Sequence, residues 1–228
     1  MPVGELYISP EYNPQSLERD WGLFMRTQRP EIYAELPKEL GSLRQTLLKT
    51  ISRQCTSDIP YNRVSLDPVQ TETNKLPAKV TTDSVSSNAW EMYQEVGLDV
   101  LTLSLLADVP IHRPFHLSQN SMIGHWRWLR QVWRIAAPLS GTAKTQVDLN
   151  PPIAEREIVD AMTQSRNNIA IALLRQSFQR LETADPTETA GLYQSFLANL
   201  TLFCPFIGTE LLWRQGLITA PKAEGLIE

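Results

Sequence analysis

Apolar side chains recur at helical spacing along most of this chain, and the breaks between the periodic stretches fall at prolines. The clearest run is Leu36, Leu40, Leu43, Leu47 and Ile51, at steps of four, three, four and four. That spacing lays one side of an α-helix against a core. Lys38, Arg44, Lys49 and Arg53 fall on its polar side, which is expected in solvent. Before it, Ser16 is the expected N-cap of a helix ending near Arg29, in which Leu17, Trp21, Phe24 and Met25 share a side and Glu18 and Asp20 lie in the first turn. Further on, Ser87 or Asn88 opens a helix through Trp90, Tyr93, Val96, Val100, Leu103 and Leu106, and Pro110 stops it. Its second half, VLTLSLLADV, has little polar surface and is expected to be buried. A helix from Ser121 to Ala137 ends at Pro138. Asn150, Pro151 and Pro152 then start one predicted to reach Leu181, because proline is tolerated in a first turn where its missing N–H has no partner anyway. Within it, IAIALL at 169–174 is apolar in most directions, the pattern of a bundle's central helix. Thr187 caps a helix with a Leu192, Phe196, Leu200, Phe203 stripe, Pro205 breaks it, and a short last helix through Leu211, Leu212 and Trp213 stops near Gly216.

Two stretches lack this period. Residues 1–14 carry three prolines and read as an extended arm or one edge strand. Between Cys55 and Ser86, Pro60, Pro68 and Pro77 stand among many Thr, Ser, Asp and Asn residues, so a long loop or a partly ordered β-like excursion is expected, with Val64, Leu66, Val69 and Val80 available to it. A small sheet built from the arm and this segment stays open. The predicted fold is all-α: a bundle of about seven helices in one domain, residues 1–228, with an arm over 1–15, a loop or linker over about 55–86, and a helical core over 87–215.

Composition narrows the classes. The chain has 228 residues, 42% of them hydrophobic, and a formal net charge of −4, which supports a real core and argues against a free polybasic nucleic-acid binder. Cys55 and Cys204 lie far apart in sequence, and no long apolar stretch follows Met1, so reduced thiols and a cytoplasmic location are expected. The apolar runs fall short of the roughly 20 residues that cross a bilayer, and no membrane partner is expected.

Charge is unevenly distributed. Ser121–Ala137, SMIGHWRWLRQVWRIAA, holds three of the six tryptophans and no acidic residue. At about 100° per residue, Met122, His125, Trp126, Trp128, Leu129, Val132, Trp133 and Ile135 fill a broad arc, with Arg127, Arg130 and Arg134 in a stripe opposite. Between Asp108 and Asp148 there is no Asp or Glu, yet Arg113, the three stripe arginines, Lys144 and all three histidines lie there. Guanidiniums without an acid at i+3 or i+4 lack the local partners of an ordinary salt-bridged face. Nucleic-acid phosphates could supply the anions, with Trp126 or Trp128 stacking on a base if exposed. Glu155, Glu157 or Asp160 from another helix could supply them equally, and so could an acidic protein partner, since Trp and Arg are also enriched at interface hot spots.

No catalytic pattern competes with this stripe. His112 and His116 are four apart, but Pro114 lies between them and no Cys or Glu neighbours them to complete a metal site. His125 lies on the apolar arc and reads as a core or edge histidine, and Cys204 in LFCPF reads as packing. There is no Gly-rich phosphate loop, nucleophile elbow or CxxC. Neither metal nor cofactor is implied, and an enzyme working in a helical pocket near His125 is the third class behind a nucleic-acid-contacting and a protein-docking subunit.

In its helical make-up, in HWRWLRQVWR from His125 to Arg134, and in the long helix begun by NPPIAEREIV, the chain resembles the helical small subunit of a type I CRISPR surveillance complex, or Cascade. In several such systems, notably types I-D and I-B, that subunit is the C-terminal part of the large subunit, made from an internal start. An opening such as MPVGELYISPEYNP would suit that origin. The resemblance covers about Ser16 to Trp213, and the segment 55–86 is longer than a minimal small subunit needs. It implies a non-catalytic subunit of an RNA-guided complex that repeats along the guide and steadies the target or displaced strand. On that expectation Arg127, Arg130, Arg134, Lys144, Arg113 and Trp128 contact DNA or RNA, and the partners are other subunits of the ribonucleoprotein and further copies of the chain.

Overall fold

The computed structural model describes residues 11–28, 37–56, 77–83, 88–139, 155–185 and 189–215, with the backbone alone for 23–28, 56 and 139. Over these residues the chain is predominantly α-helical. In order come α1 (Pro14–Gln28), α2 (Leu40–Thr56), β1 (Val80–Thr82), α3 (Ala89–Val96), α4 (Leu98–Leu106), β2 (Phe115–Leu117), α5 (Gln119–Leu139), α6 (Arg156–Thr163), α7 (Asn167–Thr183), α8 (Thr189–Phe203) and α9 (Pro205–Arg214).

The helix starts follow from short polar side chains and prolines. Asn13, rather than Ser16, opens α1: its carbonyl accepts from Leu17 N at 3.1 Å and its Oδ1 from Ser16 N at 3.1 Å, and Pro14 sits at the first position. Asn88 caps α3 through Oδ1, which accepts from Trp90 N at 2.9 Å. The helix expected from there to Leu106 is broken at Gly97, whose φ of 81° lies in the region that favours glycine. Glu18, predicted as a first-turn acid of α1, instead accepts from Leu98 N at 2.7 Å and serves the start of α4.

The apolar helix α4 is the hub. All nine of its residues are buried, and it packs against α1, α2, α3, α5, α7, α8 and α9. This corrects the expectation that IAIALL marks the central helix: in α7, Ala170, Ile171 and Leu174 are buried, but Ile169 and Ala172 are exposed. The helix predicted to reach Leu181 is also two, with a turn at 164–166 in which Ser165 has a φ of 58°. Pro205 begins α9 at its first turn, and Asp99 in α4 receives the start of that helix, its two oxygens accepting from Phe206 N at 3.2 Å and Ile207 N at 2.8 Å.

Arg44 is the largest departure from the helical pattern. Expected on a solvated face, it is 1% exposed. Its guanidinium donates to the Leu105 carbonyl in the last turn of α4 (2.7 Å) and to four carbonyls of the connector that follows: Val109 (2.7 Å), Pro110 (3.1 Å), Arg113 (3.0 Å) and Ile111 (3.4 Å). Asn167 holds the same connector, donating to the Leu106 and Val109 carbonyls and accepting from Ile111 N. Beyond it, β2 pairs in parallel with β1, Val80 opposite Phe115. The β-like excursion is thus realised at Val80, but its partner follows the connector; the segment 57–76 and the first ten residues lie outside the described residues.

Candidate functional site

The helix α5 carries the predicted stripe. Met122, His125, Leu129, Val132, Trp133 and Ala136 are buried, while Ile123, Arg127, Arg130 and Arg134 are exposed along the opposite side. The last turn is held from α8, where the Tyr193 hydroxyl donates to the Ala136 carbonyl at 2.8 Å, satisfying one of the carbonyls a helix end leaves open.

The three arginines line a groove of about 610 Å³ together with Glu11, Tyr12, Gln131 and Trp133. Trp133 and Tyr12 meet at 6.4 Å between ring centroids. Beneath them runs a charged network: Arg214 stands 4.4 Å from the Trp133 ring centroid and donates to Glu210 at 2.8 Å, and Trp21 Nε1 donates to the other Glu210 oxygen at 2.6 Å. Arg130 lies 5.6 Å from the ring centroid of Trp126, an orientation favoured by the negative face of the indole.

Among the described residues no carboxylate lies within ion-pair distance of Arg127, Arg130 or Arg134. Two of the acids that the sequence offers as internal partners are engaged elsewhere. Glu155 accepts from Arg180 at 2.8 Å, Ser177 at 3.0 Å and Ser195 at 3.3 Å, and Asp160 lies 3.8 Å from Arg156. The third, Glu157, is exposed on α6.

Of the other predicted contact residues, the two described ones, Arg113 and Trp128, do not line the groove with the stripe. Arg113 is exposed on the connector, where its carbonyl serves Arg44, and it does not line the groove. Lys144 lies outside the described residues. Trp128 is half-buried, edge-on to Phe178 at 5.8 Å and covered by Arg175 at 5.3 Å. Its ring thus packs against side chains of α7. The aromatic groups that accompany the arginines are Trp126, Trp133 and Tyr12.

No protein-family model and no curated protein matches the chain. Among solved structures, the LeuRS–tRNA–LeuAMS ternary complex of Agrobacterium radiobacter K84 is similar at 19% identity and a TM-score of 0.47, over 66% of this chain and 24% of the LeuRS chain. The chain therefore spans about a quarter of that protein's length.

The ionisable side chains considered for chemistry are occupied by packing. His125 Nδ1 lies 2.9 Å from Arg175 Nη2; since a guanidinium only donates, Nδ1 accepts and the ring carries its proton on Nε2. Burial, and secondarily the Arg175 charge, lower its pKa to about 4. Burial pushes the Cys204 thiol up and raises Cys55 to about 11, against nucleophilic use of either. His116 meets Thr81 at 3.0 Å, and among the described residues no three His, Cys, Asp or Glu side chains cluster as metal ligands. Nor, among them, is any helix long and apolar enough to cross a membrane.

Glu11 and Tyr12 are the site residues that sequence periodicity missed. They belong to a proline-rich stretch with no periodic signal, and they reach α5 across more than a hundred residues of chain.

Proposed function

We propose that this chain is a non-catalytic subunit that holds a nucleic-acid strand by its backbone phosphates, with Arg127, Arg130 and Arg134 making the contacts. The observation that carries it is three exposed guanidiniums on successive turns of α5, lining one groove, with no carboxylate partner among the described residues. Their rise along the helix, about 1.5 Å per residue, spaces neighbours by about one turn, and a guanidinium can hold a phosphate through two parallel hydrogen bonds. Such contacts favour no particular sequence and depend on salt. The small subunit of a type I CRISPR surveillance complex, which the sequence resembles, is the setting we propose, with the other subunits of that ribonucleoprotein as protein partners.

The test is fluorescence anisotropy of labelled single-stranded DNA, single-stranded RNA and duplex DNA against the wild type and an R127Q/R130Q/R134Q variant. Three released counterions lower affinity by roughly 20- to 40-fold between about 50 and 200 mM salt. We expect that slope in the wild type, across unrelated sequences, and its loss in a variant whose circular dichroism is unchanged. Equal binding by both proteins would sink the proposal and direct the search to an acidic protein partner.

A further inference from the structure

The exposed line of α5 does not begin with an arginine. Ile123, Arg127, Arg130 and Arg134 stand at i, i+4, i+7 and i+11, on one face of the helix. Ile123 is 45% exposed; the other large apolar side chains so exposed among the described residues, Trp90 and Ile169, lie on α3 and α7. Beside it, Gly124 has nothing within 4 Å of the place a Cβ would take, so among the described residues nothing stands against the helix there. Trp126, three residues on from Ile123, is partly buried against the core and has the Arg130 guanidinium 5.6 Å from its ring centroid. An apolar edge therefore runs straight into the cationic stripe, each step being one turn of about 5.4 Å. The aromatic rings on the groove floor offer less surface: Tyr12 and Trp133 are 5% and 4% exposed, and Arg214 stands over the Trp133 ring. A base attached to a phosphate held by Arg127 or Arg130 finds open apolar surface at Ile123 and Trp126. Arg130 adds to it, because a guanidinium plane is itself a surface on which bases stack.

We propose that Ile123 and Trp126, with the Arg130 guanidinium, form a base-contact patch, so that the strand is held by an unpaired base as well as by its phosphates. This rests on the phosphate-contact function proposed above. The ligand is then a strand with at least one base free of pairing. Every base has a π-face and an apolar surface to bury, so this contact leaves binding tolerant of sequence. A base inside a duplex is already stacked above and below and has no face to give.

Anisotropy at about 50 mM salt compares labelled oligodeoxythymidylate of about twelve nucleotides with an abasic strand of the same length, in which every sugar lacks its base. The two carry equal backbone charge, so the ratio of their affinities isolates the bases. One stacked base is worth about fivefold or more in that ratio. The wild type is expected to favour oligodeoxythymidylate by that factor, and I123S/W126L to bring the ratio close to one, leucine keeping the apolar packing of position 126 while removing the ring. Should that variant lose its helical circular dichroism, Ile123→Ser alone, at an exposed position, is expected to lower the ratio at least about twofold. A wild-type ratio near one overturns the inference. So does a ratio left unchanged by the folded double variant, or by Ile123→Ser where the double variant does not fold. In either of these results, salt-steep binding of the abasic strand that R127Q/R130Q/R134Q abolishes leaves the phosphate-contact function standing. No wild-type binding, or binding indifferent to the arginines, overturns both.

Discussion

Both oxygens of Asp99 accept backbone N–H groups from the start of α9, yet complete burial outweighs those bonds and raises its pKa to about 7. His125 is displaced the other way, to about 4. The folded state therefore keeps a proton on Asp99 between about pH 4 and 7 that the unfolded chain has lost, and stability from this group falls as pH rises through that range. Between about pH 4 and 6.5 the unfolded chain holds a proton on the histidine that folded His125 refuses, so stability from this group falls as pH drops. The two slopes oppose each other. Relative to wild type, Asp99→Asn is expected to lose stability progressively on acidification from about pH 7, and His125→Gln to gain it on acidification from about pH 6.5. Urea midpoints followed against pH check both, and a variant profile parallel to wild type would rule out that residue's contribution. The sequence identified His125 as a core or edge histidine from its place on the apolar arc. It showed nothing comparable for Asp99, because capping a helix over a hundred residues away leaves no local pattern.

Among the elements, α8 and α9 approach closely at Gly208. A Cβ there would lie 2.7 Å from Thr201 Cα, a backbone atom that cannot swing aside. Gly208→Ala is therefore expected to destabilise the protein by about 3 kcal/mol, at the upper end of overpacking costs. Gly191 in α8 has nothing within 4 Å of the corresponding position, so Gly191→Ala should stabilise by about 0.5–1 kcal/mol. Denaturant unfolding of both variants checks the contrast; equal effects would mean that the close approach is not real. Most helices were legible from apolar period and proline position. The breaks at Gly97 and at residues 164–166 were not, because the periods on either side of each break are compatible with one continuous helix, and the path that divides them is set by packing around α4.

At the scale of the molecule, Arg44 ties α2 to the connector that leads into β2 and then to α5. Removing the guanidinium leaves buried carbonyls without donors, which costs about 1–3 kcal/mol for each that finds no water. Arg44→Gln is expected to destabilise by roughly 3 kcal/mol and to raise hydrogen exchange in residues 107–114 well above that in α8. Arg44→Lys should rescue little, because an ammonium has three donors and lacks the planar fork that reaches five carbonyls. Uniform exchange through the molecule in Arg44→Gln would argue against a local tether. The groove is likewise a product of the whole fold, since Glu11, Tyr12, α5 and the Arg214–Glu210 pair come from distant parts of the chain.

The sequence alone determined the helical class, most helix positions, and the cationic and apolar faces of α5, because these depend on spacing within one element and on where proline and asparagine interrupt it. Only tertiary structure decided that α4 is the hub, that Arg44 is internal while Arg127, Arg130 and Arg134 are outside, that Trp128 packs against α7, and that Glu11 shares the arginine groove. Those outcomes turn on which distant carbonyl, ring or carboxylate faces a side chain. Periodicity specifies a direction from the helix axis but not what stands in that direction.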